Sequence, residues 1–136
     1  MDAREIMTHD VVTAAPTDTV DMALRLLEDQ EIRHLPIVDG GRLVGMISDR
    51  DLREYRLPLM EELDDPDRAD ELLATPLSTV MQTGAVALEA GESIAEAIDL
   101  MLTYGFGAVP VVDGRDQTLI GIVSYVDILK AVRSTL

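Results

Sequence analysis

Two heptapeptides hold the residue types best suited to chemistry: Gly45-Met46-Ile47-Ser48-Asp49-Arg50-Asp51 and Gly121-Ile122-Val123-Ser124-Tyr125-Val126-Asp127. Each reads glycine, two apolar residues, serine, two residues, aspartate. The apolar run of a strand ends at the serine, and a helix begins there. Serine then caps the helix, aspartate favours its positive N-terminal end, and glycine permits close packing on the strand. Capping explains much of this pattern. It does not explain why Asp, rather than Glu or another cap, recurs at the same place. A carboxylate at a helix start beside a glycine-opened strand accepts two hydrogen bonds from a ribose diol, with the serine hydroxyl nearby.

Catalytic constellations are scarce. The chain has no GxSxG, no Walker-type phosphate loop, no HExxH and no GxGxxG. It has no cysteine, which removes disulfide scaffolds, Cys-based zinc sites and thiol nucleophiles together. His9 and His34 stand far apart, with no acid at ligand-like spacing, and read as surface or satisfied core residues. No catalytic residue, no resident metal and no enzymatic activity is expected.

The elements that position the two motifs are themselves written twice. Residues 6–40 superpose on 80–114 at an offset of 74, so that Met7 meets Met81, Val20 meets Ile94 and Ala23 meets Ala97. Pro36-Ile37-Val38-Asp39-Gly40 meets Pro110-Val111-Val112-Asp113-Gly114. A two-residue insertion then shifts the offset to 76, which aligns Ser48 with Ser124 and Asp51 with Asp127. This is an internal duplication.

Each copy predicts strand, helix, strand, strand, helix. A brief strand is expected at 11–13, or at 85–87. Val20, Ala23, Leu24 and Leu27 fall at i, i+3, i+4 and i+7, matched by Ile94, Ala97, Ile98 and Met101, and predict one amphipathic helix per copy. Asp18 or Thr19 can cap the first. Ser93 with Glu96 predicts a capping box on the second. Apolar strands at 35–38 and 43–47 flank Asp39-Gly40-Gly41, a hairpin signature. The closing helices are expected at 49–55 and 125–133. One such copy buries too little surface to be stable alone. The expected fold is therefore α+β, with two β-α-β-β-α repeats, 1–55 and 80–136, packed through their sheets about a pseudo-twofold axis. Residues 56–79 form an acidic linking segment, with Leu72, Leu73 and Leu77 docking on the core.

Charge narrows the partners. Eleven Lys plus Arg against twenty-six Asp plus Glu leave a net charge of −15 across 136 residues, which disfavours nucleic acid. With 47% hydrophobic residues the chain is globular rather than a disordered acidic tail. Ten of the basic residues are Arg and only Lys130 is Lys, while sixteen acids are Asp, a balance expected of halophilic proteins. The densest acidic run, Glu61, Glu62, Asp64, Asp65, Asp67, Asp70 and Glu71, lacks EF-hand spacing and reads as a solvated linker. Apolar runs are shorter than a membrane span and no signal-peptide layout opens the chain, so a cytoplasmic location is expected.

Each copy resembles a CBS domain, and the pair resembles a tandem CBS module, or Bateman module. The resemblance rests on Ile6-Met7-Thr8 and Val80-Met81, on Arg33-His34-Leu35-Pro36-Ile37-Val38-Asp39 and Ala108-Val109-Pro110-Val111-Val112-Asp113, and on the two Gly-x-x-Ser-x-x-Asp segments. It covers nearly the whole chain outside the central segment, and no catalytic domain is appended, as in a stand-alone module. It implies a regulatory role: an adenine nucleotide (AMP, ADP or ATP) bound in clefts between the repeats, a homodimer, and a regulated protein that receives the signal. Ribose and phosphate would be held by Ser48 and Asp51 in one site, and by Ser124 and Asp127 in the other. The adenine pockets would be lined by Val12, Thr13, Arg33, His34 and Pro36, and by Val86, Ala87, Gly107, Ala108 and Pro110, with Phe106 available to face a base. Arg50 and Arg53, with Arg33 and His34, are the phosphate candidates. The second copy has Val126 and Leu129 instead, so the two sites are expected to differ in affinity for phosphates. Other expectations are a sensor of S-adenosylmethionine, NAD or Mg²⁺, or an assembly module whose clefts stay empty.

Overall fold

The computed structural model describes residues 1–55, 66–84 and 86–136. Glu61, Glu62, Asp64 and Asp65, with the part of the linking segment that carries them, lie outside the described residues. The elements are α1 (Ala3–Ile6), α2 (Val20–Asp29), β1 (His34–Asp39), β2 (Arg42–Ser48), α3 (Pro66–Leu73), α4 (Leu77–Val80), β3 (Leu88–Glu89), α5 (Ile94–Tyr104), β4 (Ala108–Asp113), β5 (Thr118–Ser124) and α6 (Tyr125–Arg133). The fold is α+β. Among the described residues no helix is long and apolar enough to cross a membrane.

The chain divides into two compact units that interleave in sequence. One comprises Val12–Asp39 and Val44–Ala85, the other Met1–Val11, Gly40–Leu43 and Val86–Leu136. They are called here the Asp51 unit and the Asp127 unit. Each therefore takes its opening segment from the other repeat.

The Asp51 unit is centred on Ala14, Val20, Ala23, Leu27, Leu35, Ile37, Ile47, Leu52 and Leu77, all buried. The apolar stripe of α2 explains three of these, because residues at i, i+3 and i+7 share one helix face. Leu72 and Leu73 are half-buried, whereas Leu77 is fully buried in this core. Thr19 caps α2, its hydroxyl accepting the Met22 N–H at 3.4 Å. Asp18 instead accepts the Ala15 N–H at 2.7 Å. Gly40 and Gly41 both take positive φ (58° and 81°), the geometry that a tight turn between β1 and β2 demands. Beyond Ser48 the chain turns through 49–52 and is helical at 53–55.

In the Asp127 unit, β4 pairs antiparallel with β5 and parallel with β3, and Arg42 pairs with Thr118. Its core joins Ala3, Met7, Leu88, Ala90, Ala97, Val109, Val111, Val123 and Ile128. Helix α5 ends at Gly105 in the left-handed conformation (φ 73°), whose N–H bonds to the Met101 carbonyl at 2.8 Å.

Three local expectations need correction. The closing helix expected at 49–55 is helical only from 53, after the turn through 49–52. The brief opening strands begin later than 11–13 and, for the second copy, later than 86–87, Ala85 lying outside the described residues. Ala14 bridges Ile37 in parallel, and β3 is Leu88–Glu89. Pairing follows the positions that are buried, Ala14 and Leu88, rather than the half-buried residues before them. Nor do Ser93 and Glu96 form a capping box: Ser93 is the N-cap of α5 but makes no side-chain cap bond. The Ile94 N–H bonds to the Met1 carbonyl (3.1 Å) and the Glu96 N–H to the Ser93 carbonyl (3.1 Å). Backbone acceptors supplied partly by the chain's first residue serve the first turn instead.

Candidate functional site

The two serine–aspartate motifs adopt one geometry. In the Asp51 unit the Ser48 N–H donates to Asp51 Oδ2 (2.8 Å), and the Asp51 N–H donates to Ser48 Oγ (3.2 Å). In the Asp127 unit the corresponding distances are 2.9 and 3.2 Å, and the Ser124 hydroxyl lies 3.1 Å from Asp127 Oδ2. Asp127 thus closes a capping box with Ser124 at the start of α6, and Asp51 makes the same reciprocal pair of bonds with Ser48 across the turn at 49–52. This answers why Asp recurs: its carboxylate reaches back to the N–H of the serine three residues earlier. Both carboxylates and both serines remain half-buried rather than enclosed.

The glycines have a specific task. A Cβ on Gly45 would lie 2.6 Å from Met81 Sδ and 3.1 Å from the Gln82 carbonyl oxygen. On Gly121 it would lie 2.8 Å from Met7 Cγ and 3.0 Å from the Thr8 carbonyl oxygen. Each opening segment is laced to the strand just there. Gln82 and Met46 exchange two backbone hydrogen bonds (2.9 and 3.1 Å), as do Thr8 and Ile122 (2.9 and 3.1 Å). The methionines of the duplicated openings are therefore partners of the motif glycines.

The strand start is tied to each motif in the same way. The Asp49 N–H donates to the Arg33 carbonyl (2.9 Å), and the Tyr125 N–H donates to the Gly107 carbonyl (3.0 Å). Arg33 and His34 are thereby brought beside Ser48 and Asp51, and Gly107 and Ala108 beside Ser124 and Asp127. Pro36 and Pro110 are buried in β1 and β4. Pro36 offers its carbonyl to the Ala14 N–H (3.2 Å), which sets Val12 and Thr13, both half-buried, just ahead of that pairing. Val86 and Ala87 are half-buried just before β3. Phe106 stacks on Tyr104, with ring centroids 5.4 Å apart and planes 15° from parallel.

Electrostatics distinguish the two motifs. His34 is half-buried, and burial holds its imidazole below its ordinary range, opposed by Asp49, lowered further by Arg33, then opposed by Asp51 and lowered by Arg50. These charges form one cluster around the histidine. Arg33, Arg50 and Arg53 are exposed, and Arg53 is not among the charges acting on His34. The equivalent positions of the Asp127 unit carry no charge: Gly107, Ala108, Val126 and Leu129.

Sequence reasoning missed Gln82. Its side-chain amide donates to Asp51 Oδ1 at 3.0 Å. No spacing rule points to this contact, although the duplicated Met-Gln and Met-Thr openings mark the segment. An open hollow of about 540 Å³ also lies in the Asp51 unit, its lining including Leu24, Leu27, Glu28, Ile32 and Asp49. None of the site residues expected from the sequence is among these. Among the described residues no cluster of three or more His, Asp or Glu side chains is arranged to hold a metal ion.

Duplicated serine–aspartate pairs, glycine-seated methionines and paired strand starts define a tandem repeat of one small α+β unit, and comparison with known proteins places it. The CBS domain profile matches residues 3–58 and 77–134, and the chain belongs to the CBS-domain family. A CBS domain-containing protein of Dictyostelium discoideum is 34% identical over 128 residues, covering 93% of this chain and 87% of that protein. Inosine-5′-monophosphate dehydrogenase of Methanocaldococcus jannaschii is 33% identical over 129 residues, 94% of this chain but 23% of the enzyme. Several other curated relatives are likewise more than twice as long as the part matched. Among solved structures, CBSX2 of Arabidopsis thaliana in complex with AMP superposes with a TM-score of 0.82 at 25% identity, covering 98% of this chain and 97% of that one.

Proposed function

We propose that this chain is a regulatory module that binds an adenine nucleotide of the AMP, ADP or ATP type and passes its occupancy to another protein. Ser48 and Asp51 serve one site, and Ser124 and Asp127 the other. The observation that carries this reading is the pair of half-buried carboxylates, each fixed three residues past the serine that ends its strand, with Oδ2 engaged by that serine's N–H. Such a carboxylate is held in place before any ligand arrives, so a ribose diol meets an ordered acceptor. The AMP bound by the related CBSX2 supports the ligand class.

The adenine end would lie against Val12, Thr13, His34 and Pro36 in one site, and against Val86, Ala87, Ala108 and Pro110 in the other. Arg33, Arg50 and Arg53 would neutralise phosphate in the first, while Gly107, Val126 and Leu129 offer no charge in the second. Ligand affinity that differs between two arrangements of the chain would carry the signal. The repeats, 1–55 and 80–136 joined by 56–79, act as one cytoplasmic module. Tyr125, Val126, Leu129 and Val132, exposed on α6, supply an apolar face that supports a homodimer. The Asp-rich charge of −15 supports operation at high salt.

A thermal-shift screen with AMP, ADP, ATP, NAD, S-adenosylmethionine and Mg²⁺ tests the reading, because only a ligand that binds the folded chain raises its melting temperature. An adenine nucleotide should do so in a concentration-dependent way. A melting temperature unmoved by every adenosine compound would favour the assembly role, with empty clefts and an acidic face docking on a partner enzyme.

A further inference from the structure

The two serine–aspartate pairs are matched, yet their second carboxylate oxygens are not. Asp51 Oδ1 accepts the Gln82 side-chain amide at 3.0 Å. The position equivalent to Gln82 in the other opening segment is Thr8, 74 residues earlier. Thr8 is fixed by the same two backbone bonds, to Ile122, but no side-chain bond joins it to Asp127 among the described residues. The duplication thus supplies an internal control in which only the side chain at this position changes.

We propose that Gln82 sets the affinity of the Asp51 site by occupying the carboxylate oxygen that a ribose hydroxyl takes on binding. The inference rests on the nucleotide-binding reading above. Oδ2 is engaged by the serine N–H in both units, so Oδ1 is the oxygen with capacity for a diol. In the Asp51 unit, a ligand exchanges the amide for its hydroxyl. In the Asp127 unit it meets an acceptor with no competing side chain. The exchange also has a mechanical consequence. Gln82 follows Met81, which sits against Gly45, and Leu77, which is fully buried in the core of the same unit. Release of the Gln82 side chain therefore alters a segment anchored at both its strand and its core contacts.

The test is a titration of the full isotope-labelled chain with AMP, followed by NMR at the Ser48 and Ser124 backbone amides and at the Gln82 side-chain amide. The two serine amides report each site separately, because each donates to its own aspartate. AMP should shift the Gln82 side-chain signal. Gln82→Ala and Gln82→Thr, the residue of the other repeat, should each lower the AMP concentration at the Ser48 midpoint by about twofold to tenfold, the range of one solvent-exposed hydrogen bond. The Ser124 midpoint should stay fixed. A Ser48 midpoint unchanged or raised in both variants, with AMP still shifting both serines, would overturn the role of Gln82 and leave nucleotide binding standing. AMP shifting neither serine in the unsubstituted chain would overturn both.

Discussion

Gly45→Ala is the most revealing packing change, because it tests whether the opening segment of one repeat belongs against the strand of the other. The added Cβ would meet Met81 Sδ at 2.6 Å and the Gln82 carbonyl oxygen at 3.1 Å. The sulfur can swing aside, but the carbonyl belongs to a segment held by two backbone bonds to Met46. Overpacking of this kind costs about 1–3 kcal/mol. Gly45 does not require positive φ, so alanine returns about 0.4–1 kcal/mol by restricting the unfolded chain. The net loss is about 1–2 kcal/mol, or roughly 3–6 °C in melting temperature for a chain of this size. Gly91→Ala is the control, since no atom lies within 4 Å of its added Cβ, and it should be neutral or slightly stabilising. In the double variant Gly45→Ala with Met81→Ala, removal of the sulfur makes room for the new methyl. The two losses should then fall short of additivity by at least about 0.5 kcal/mol. Thermal and urea unfolding of the four proteins measure the cycle. A Gly45→Ala protein as stable as Gly91→Ala, or strict additivity in the double variant, would refute the seating of Met81 on Gly45.

Further outcomes are expected. Ser124→Ala should lower stability by about 0.5–2 kcal/mol in urea unfolding, the usual loss of an N-cap. Arg33→Ala and Arg50→Ala should weaken AMP binding more than adenosine binding, and only at the Ser48 amide in an NMR titration. Burial holds His34 below its ordinary value of 6.5, so the unfolded chain takes up this proton first. Stability contributed by neutral His34 is full above pH 6.5 and is lost as pH falls through the lowered folded value; His34→Gln should flatten that slope. With a net charge of −15, the melting temperature should rise steadily from low salt to molar KCl as repulsion is screened.

What the sequence made legible was local. The i, i+3, i+7 spacing of Val20, Ala23 and Leu27 identified the buried face of α2, since a single helix period dictates it. Asp39-Gly40-Gly41 identified a turn that only residues tolerant of positive φ form readily. Ser48 with Asp51 and Ser124 with Asp127 stood out because a cap acts over three residues. Contacts between distant segments left weaker traces. Met7 meets Gly121 and Met81 meets Gly45 through pairings that no local periodicity encodes, although both partners were visible as duplicated residues. Ser93 showed a capping-box pattern, yet Met1 supplied a carbonyl to the same helix start and the side-chain bond did not form. Gln82 carried no motif; its reach to Asp51 became visible only when its backbone was placed beside β2.

Calorimetric titration of the intact chain with AMP, beside Asp51→Ala, Asp127→Ala and the double variant, tests the central claim most directly. Saturable binding is expected, weakened at one site by each single substitution by about 1–3 kcal/mol, roughly fivefold to 150-fold, and weakened at both sites by the same factors in the double variant. Undiminished AMP binding by a folded double variant, or no binding by the unsubstituted chain, would contradict the assignment of the two carboxylates to a nucleotide ribose.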